Sequence, residues 1–110
     1  MREFANLPVA LPAIPEPNTR HAYHLFTLQV EKETSGTSRD RFMNAMTANH
    51  IGVGVHYLSL PEHPYYQKTF GWRPEDYPHA ARIGRSTVSI PLSAKLSDKA
   101  QVAGVGQPRL

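Results

Sequence analysis

Apolar and polar side chains alternate along Tyr23, His24, Leu25, Phe26, Thr27, Leu28, Gln29 and Val30, and the aromatic and β-branched content predicts a strand over 23–30. Successive strand side chains point to opposite faces, so His24, Phe26, Leu28 and Val30 share the expected core face, and Leu25, Thr27 and Gln29 the other. After Ser35, Gly36 and Thr37 the apolar period lengthens. Phe42, Met43 and Met46 then mark one side of a helix expected over 39–50, with Ser38 as its N-cap and Asn49 and His50 at its end. A second strand is expected over 51–58, where Gly52 and Gly54 stand in place of bulky side chains, as they do where backbone or ligand comes close.

Pro61, Pro64, Pro74 and Pro78 then punctuate a stretch carrying Tyr65, Tyr66, Phe70, Trp72 and Tyr77, which predicts short helices and loops packed by rings. Pro64 opens one helix over 65–70 and Pro78 another over 79–84, because proline suits the first turn of a helix. A third strand follows over 86–92, with Pro91 near its close, and Ser97 and Asp98 mark the start of a last helix. That helix meets Gly104, Gly106 and Pro108, each costly in a helix interior, so a disordered tail is expected over 102–110. The order strand, helix, strand, short helices, strand predicts an α+β fold: a small sheet of about three strands with helices on one face.

Composition narrows this picture. Four of the ten prolines fall in the first 17 residues, predicting an extended, unpacked lead-in over 1–20 ahead of one domain over 21–101. With 110 residues the chain has room for a single modest core. The absence of cysteine removes disulfides and thiolate chemistry and fits an intracellular origin. No apolar run nears the roughly 20 residues needed to span a bilayer, and Met1, Arg2, Glu3 and Phe4 do not open a signal peptide, so a soluble, cytoplasmic chain with no membrane partner is expected. The formal charge is +3, but acids and bases are interspersed, which argues against a dedicated nucleic-acid binder.

Candidate chemistry centres on His56, which follows the glycine-marked segment and is followed by Tyr57. A histidine at a strand end facing a cleft suits a phosphate or a cofactor; a satisfied, half-buried imidazole is the plain alternative. The glycine pair is not a dinucleotide fingerprint, because Tyr57 stands where the third glycine belongs. His21 and His24 would point to opposite faces of a strand, so no metal site is expected. No nucleophile elbow is present either, which leaves the chain without a catalytic residue of its own. Arg73, Arg82 and Arg85 among aromatics could stack bases, although solvated arginines on a ring-packed loop explain the same pattern.

One ordered set of segments resembles the end of the DegT-type nucleotide-sugar aminotransferases, of the aspartate-aminotransferase fold type. It runs through His21, Ala22, Tyr23, His24, Leu25 and Phe26; Arg39, Asp40, Arg41 and Phe42; the segment 51–57; Pro64, Tyr65 and Tyr66; Tyr77, Pro78, His79 and Ala80; Ser89, Ile90, Pro91 and Leu92; and Leu96, Ser97 and Asp98. The resemblance implies the small C-terminal domain of a dimeric enzyme whose large domain holds pyridoxal phosphate on a lysine. The implied reaction carries an amino group from an amino acid such as glutamate to a nucleotide-linked keto-sugar. By resemblance, His56 and Tyr57 face the substrate and cofactor, and His24 and Tyr23 are the secondary candidates for the same role. Lys68, Lys95 and Lys99 match no Schiff-base motif. No bound cofactor and no transamination are therefore expected of this polypeptide alone. The alternative is a stand-alone binding module that keeps the fold for another purpose.

Overall fold

A two-stranded antiparallel ribbon holds the fold together. The computed structural model describes residues 4–93 and 95–97. Strand β1 (Phe26–Gln29) pairs with β2 (Thr87–Ile90), placing Phe26 opposite Ile90, Thr27 opposite Ser89, Leu28 opposite Val88 and Gln29 opposite Thr87. Between them in sequence lie helices α1 (Lys32–Ser35), α2 (Arg39–Ala48), α3 (Pro64–Phe70) and α4 (Pro78–Ser86), with single 3-10 turns at Leu60–Glu62 and Pro74–Asp76. This is a small α+β unit.

Strand alternation decides where the core lies. Leu28 and Val88 face each other on one side of the ribbon, and with Val30 they pack against Phe42 and Met46 of α2; all five are buried. Each such side chain contributes on the order of 1.5–3 kcal/mol when removed from water. Met43, Phe26, Ile90, Ile51 and Val53 pack around the rim.

Helix α2 starts and stops where side-chain chemistry dictates. The Ser38 hydroxyl accepts the Arg41 backbone N–H at 3.3 Å, satisfying one of the free donors of the first turn. At the other end the Asn49 amide donates to the Ala45 carbonyl at 2.8 Å, and His50 turns left-handed (φ 60°), so that the Ile51 N–H reaches the Met46 carbonyl. Arg39 Nη1 donates to the carbonyls of Gly84 and Thr87, joining α2 to the junction of α4 and β2.

Three expectations need correction. The strand over 51–58 contracts to one bridge, Gly54 to Ser89, on the outer edge of β2. Glycines give such a segment little to pack against a neighbour, and beyond Gly54 the chain folds over β2 through His56. The lead-in is not unpacked: Phe4, Val9 and Leu11 lie on the core, and Ala10 exchanges two hydrogen bonds with Gln29 on the outer edge of β1. Proline spacing suggested an extended path, whereas residues 4–9 run through turns and bends closed by the Leu7 N–H on the Phe4 carbonyl, and it could not show that the apolar neighbours are used. His24 is exposed and lies before β1, because Tyr23 takes a left-handed conformation (φ 48°) that interrupts the extended path. The expected tail over 102–110, Lys99, and the last helix beyond Ser97 lie outside the described residues.

Candidate functional site around His56

The ribbon's second face is polar, yet it is covered. Thr87 and Ser89 alternate with Val88 and so point away from α2, and both are buried, Ser89 with 5% of its surface exposed. A buried hydroxyl needs a hydrogen-bond partner. Ser89 Oγ finds it in Nδ1 of His56, 2.9 Å away.

Two further features hold this imidazole. Gly54 and Ser89 exchange backbone hydrogen bonds of 3.1 and 2.7 Å, which fixes the start of the segment carrying His56 against β2. The missing side chain at Gly54 leaves room for the ring, since a Cβ there would stand 2.9 Å from His56 Cε1. Tyr57 places its ring edge-on to the imidazole, centroids 5.0 Å apart at 88°, and is itself 74% exposed. His56 is half-buried. Among the described residues its Nε2 has no hydrogen-bond partner. One nitrogen is anchored and the other is available.

Tyr23 and His24 are not drawn into this arrangement. The Tyr23 N–H donates to Nδ1 of His21 at 2.9 Å, their rings lie 4.2 Å apart, and no hydrogen bond or ring contact among the described residues joins Tyr23 or His24 to His56 or Tyr57. The pair precedes β1 at the end of the ribbon where Phe26 meets Ile90, whereas the chain leaving Gly54 continues to Ser59, which packs on Gly84 of α4.

The described lysines Lys32, Lys68 and Lys95 are all exposed. A lysine that forms a Schiff base is made nucleophilic by desolvation or by a neighbouring cation. The candidate site thus presents one imidazole nitrogen beside the exposed Tyr57, a group able to hydrogen-bond an oxygen of a ligand, and the described lysines are not among its neighbours. Among the described residues no three histidine, aspartate or glutamate side chains converge to hold a metal ion, and no helix is long and apolar enough to cross a membrane.

A cavity of about 500 Å3 opens elsewhere, between α1, α4 and the start of α2, lined by Glu31, Lys32, Arg39, Glu75, Arg82 and Arg85 among others. Its arginines are engaged: Arg82 with Glu31, Arg85 with Glu62 at 2.6 Å, and Arg39 with Asp40 at 2.6 Å. Arg73 lies 3.5 Å from Glu75, whose carboxyl is held below the ordinary glutamate value of 4.5 by its own backbone N–H and then by Arg73. The aromatic stretch is a ring cluster, with Tyr66 stacked on Trp72 at 5.5 Å and 9° and Trp72 against Tyr77 at 5.7 Å. Those rings pack on one another, as the sequence predicts, and Arg73, Arg82 and Arg85 already have carboxylate partners.

Ser89 is the residue that sequence reasoning left without a role at the site, and Gly54 is read there only as a close approach with no partner named. The signal for Gly54 is its position two residues before His56; for Ser89 it is the hydroxyl alternation Thr87, Ser89 against Val88, Ile90, which leaves a polar face on a strand buried on both sides.

Comparison with known proteins gives this geometry a context. The sequence profile of the "DegT/DnrJ/EryC1/StrS aminotransferase family" matches residues 1–106. The chain is 35% identical over 96 residues to the spore coat polysaccharide biosynthesis protein SpsC of Bacillus subtilis, an alignment covering 86% of this chain and 25% of that protein. It is 31% identical over 96 residues to an uncharacterized protein of Methanocaldococcus jannaschii, covering 87% and 25%. A putative sugar aminotransferase from Streptococcus pneumoniae in its apo form superposes with a TM-score of 0.79 at 26% identity, over 94% of this chain and 26% of that one. The same protein's PLP form gives 0.78, and its PMP form 0.79. The chain therefore spans about a quarter of the length of the relatives it matches.

Proposed function

The chain belongs to the DegT/DnrJ/EryC1/StrS aminotransferase family, and from that premise we propose that it serves as the small domain of a pyridoxal-phosphate-dependent sugar aminotransferase. The reaction moves an amino group from an amino acid such as glutamate to a nucleotide-linked keto-sugar, in polysaccharide synthesis in the cytoplasm. Pyridoxal phosphate supplies the electron sink that stabilises a carbanion, while protein groups bind and orient the reactants. The lysine that holds the cofactor belongs to a large domain outside this chain, in a homodimeric enzyme. What this chain contributes is His56, with Tyr57 beside it, turned to the substrate; Tyr23 and His24, just ahead of β1, are its further substrate-facing residues.

The observation that carries this reading is the anchored imidazole: one nitrogen on a buried hydroxyl, the other available, next to an exposed tyrosine. Similarity over 94% of the chain to a sugar aminotransferase studied in apo, PMP and PLP forms supports the cofactor, and similarity to SpsC supports the pathway class.

A hybrid tests it. This chain, joined in place of the matched quarter of SpsC and loaded with pyridoxal phosphate, is expected to transfer an amino group from glutamate to a nucleotide keto-sugar. His56→Ala in that hybrid is expected to lower kcat/KM by about 10- to 100-fold, the loss of one hydrogen bond to a charged group. A dimeric hybrid that holds the cofactor and transfers nothing contradicts the proposal.

A further inference from the structure

The contacts of His56 also bear on which of its nitrogens carries the proton. Ser89 is buried, and its backbone groups are occupied by Gly54: the Ser89 N–H donates to the Gly54 carbonyl and the Ser89 carbonyl accepts the Gly54 N–H. What remains is the side-chain hydroxyl, one proton to donate and lone pairs to accept. Its partner among the described residues is His56 Nδ1, at 2.9 Å. If Nδ1 carried the ring proton, it would donate to Oγ, and the hydroxyl proton would then need a second acceptor. None of the described residues supplies one. With Nδ1 unprotonated, one bond satisfies both groups, because the hydroxyl donates and the nitrogen accepts. The proton of a neutral ring then sits on Nε2, the nitrogen left available.

We propose that Ser89 and Gly54 are positioning residues that set His56 as a neutral Nε2–H donor, aimed at an acceptor oxygen of the bound substrate or cofactor. Ser89 fixes the tautomer through Nδ1, and Gly54 fixes the ring's place by leaving the space that a Cβ would occupy, 2.9 Å from Cε1. An imidazole held this way donates a hydrogen bond; with its one lone pair committed to Ser89, it is not placed to accept a proton from substrate. Hydrogen-bonding an oxygen, and not proton abstraction, is the chemistry this geometry assigns to His56. The assignment to substrate or cofactor rests on the aminotransferase reading, whereas the tautomer is a property of this chain alone.

Nitrogen-15 NMR of the chain, without cofactor or substrate and at a pH where the ring is uncharged, separates the two. The expected spectrum shows Nδ1 at an unprotonated, hydrogen-bonded position, Nε2 protonated, and cross-peaks from the His56 ring to the Gly54 α-protons. Ser89→Ala is expected to move Nδ1 toward its free position and to weaken those cross-peaks, with the remaining backbone signals retained. Gly54→Ala keeps the hydroxyl but is expected to displace the ring and abolish the same cross-peaks. A protonated Nδ1 in the parent chain overturns the proposal, as does a Ser89→Ala spectrum with the His56 ring unmoved. Either result leaves the hybrid's activity to be judged separately, and an inactive hybrid leaves the tautomer standing.

Discussion

Gly84 shows how one atom decides a position. It lies inside α4, where replacing glycine by alanine ordinarily stabilises a helix by about 1 kcal/mol. A Cβ at Gly84, however, would stand 2.7 Å from the Ser59 backbone nitrogen and 3.1 Å from the Ser59 Cβ. Backbone cannot swing aside as a flexible side chain does, and forcing extra atoms into a packed site costs about 1–3 kcal/mol. Gly84→Ala is therefore expected to lower the melting temperature, while Gly52→Ala, with nothing within 4 Å of its Cβ, leaves it nearly unchanged. A Gly84→Ala chain as stable as the parent would show that α4 and Ser59 are not in contact. At this scale the sequence is partly legible. Ser38 announces its cap through its place before an apolar helix, and Gly54 announces a close approach; that the approaching group is the ring of His56 depends on a fold-back within three residues, which no periodicity encodes.

Among the elements, α2 was the most readable, because three signals agree on it: a capping serine, apolar residues at helical spacing and an Asn49–His50 stop. Its packing then follows from geometry, with Phe42 and Met46 seated on Leu28 and Val88. Met46 is 1% exposed, and truncation to alanine deletes atoms that the small core cannot replace. Met46→Ala is expected to cost about 2–5 kcal/mol, a large share of the 5–15 kcal/mol typical of a whole domain. Urea unfolding reads this as a lower midpoint with little change in slope; an unchanged midpoint would remove α2 from the core. The segment 51–58 was the least readable element. Its valines alternate like a strand, but pairing requires a run of neighbours on β2, and only Gly54 acquires one. The lead-in erred the other way: its prolines suggested an unpacked stretch, while Phe4, Val9 and Leu11 are recruited by an apolar surface formed from residues far along the chain.

On the scale of the molecule, much apolar surface stays uncovered. Tyr57, Leu60, Tyr65 and Phe70 are each more than half exposed, whereas the buried apolar cluster among the described residues comprises five. Apolar surface of this extent marks contact with something else. The relatives are about four times as long, and the remaining three quarters of such a protein is the occupant this surface fits under the proposed function. This level is the hardest to read from the chain, since under the proposed function the groups that complete the site lie outside it. The family resemblance, carried by short ordered segments from His21 onward, supplied what spacing alone could not. The most direct test of the division of labour is to titrate the purified chain with pyridoxal phosphate, reduce with borohydride and locate any modified lysine by mass spectrometry. The expected result is scattered, substoichiometric labelling of exposed lysines such as Lys32 and Lys68, with no discrete absorbance band. Stoichiometric attachment at one lysine, with such a band, would mean that this chain holds its own cofactor site and would contradict its proposed role as the small domain of an enzyme whose cofactor is held elsewhere.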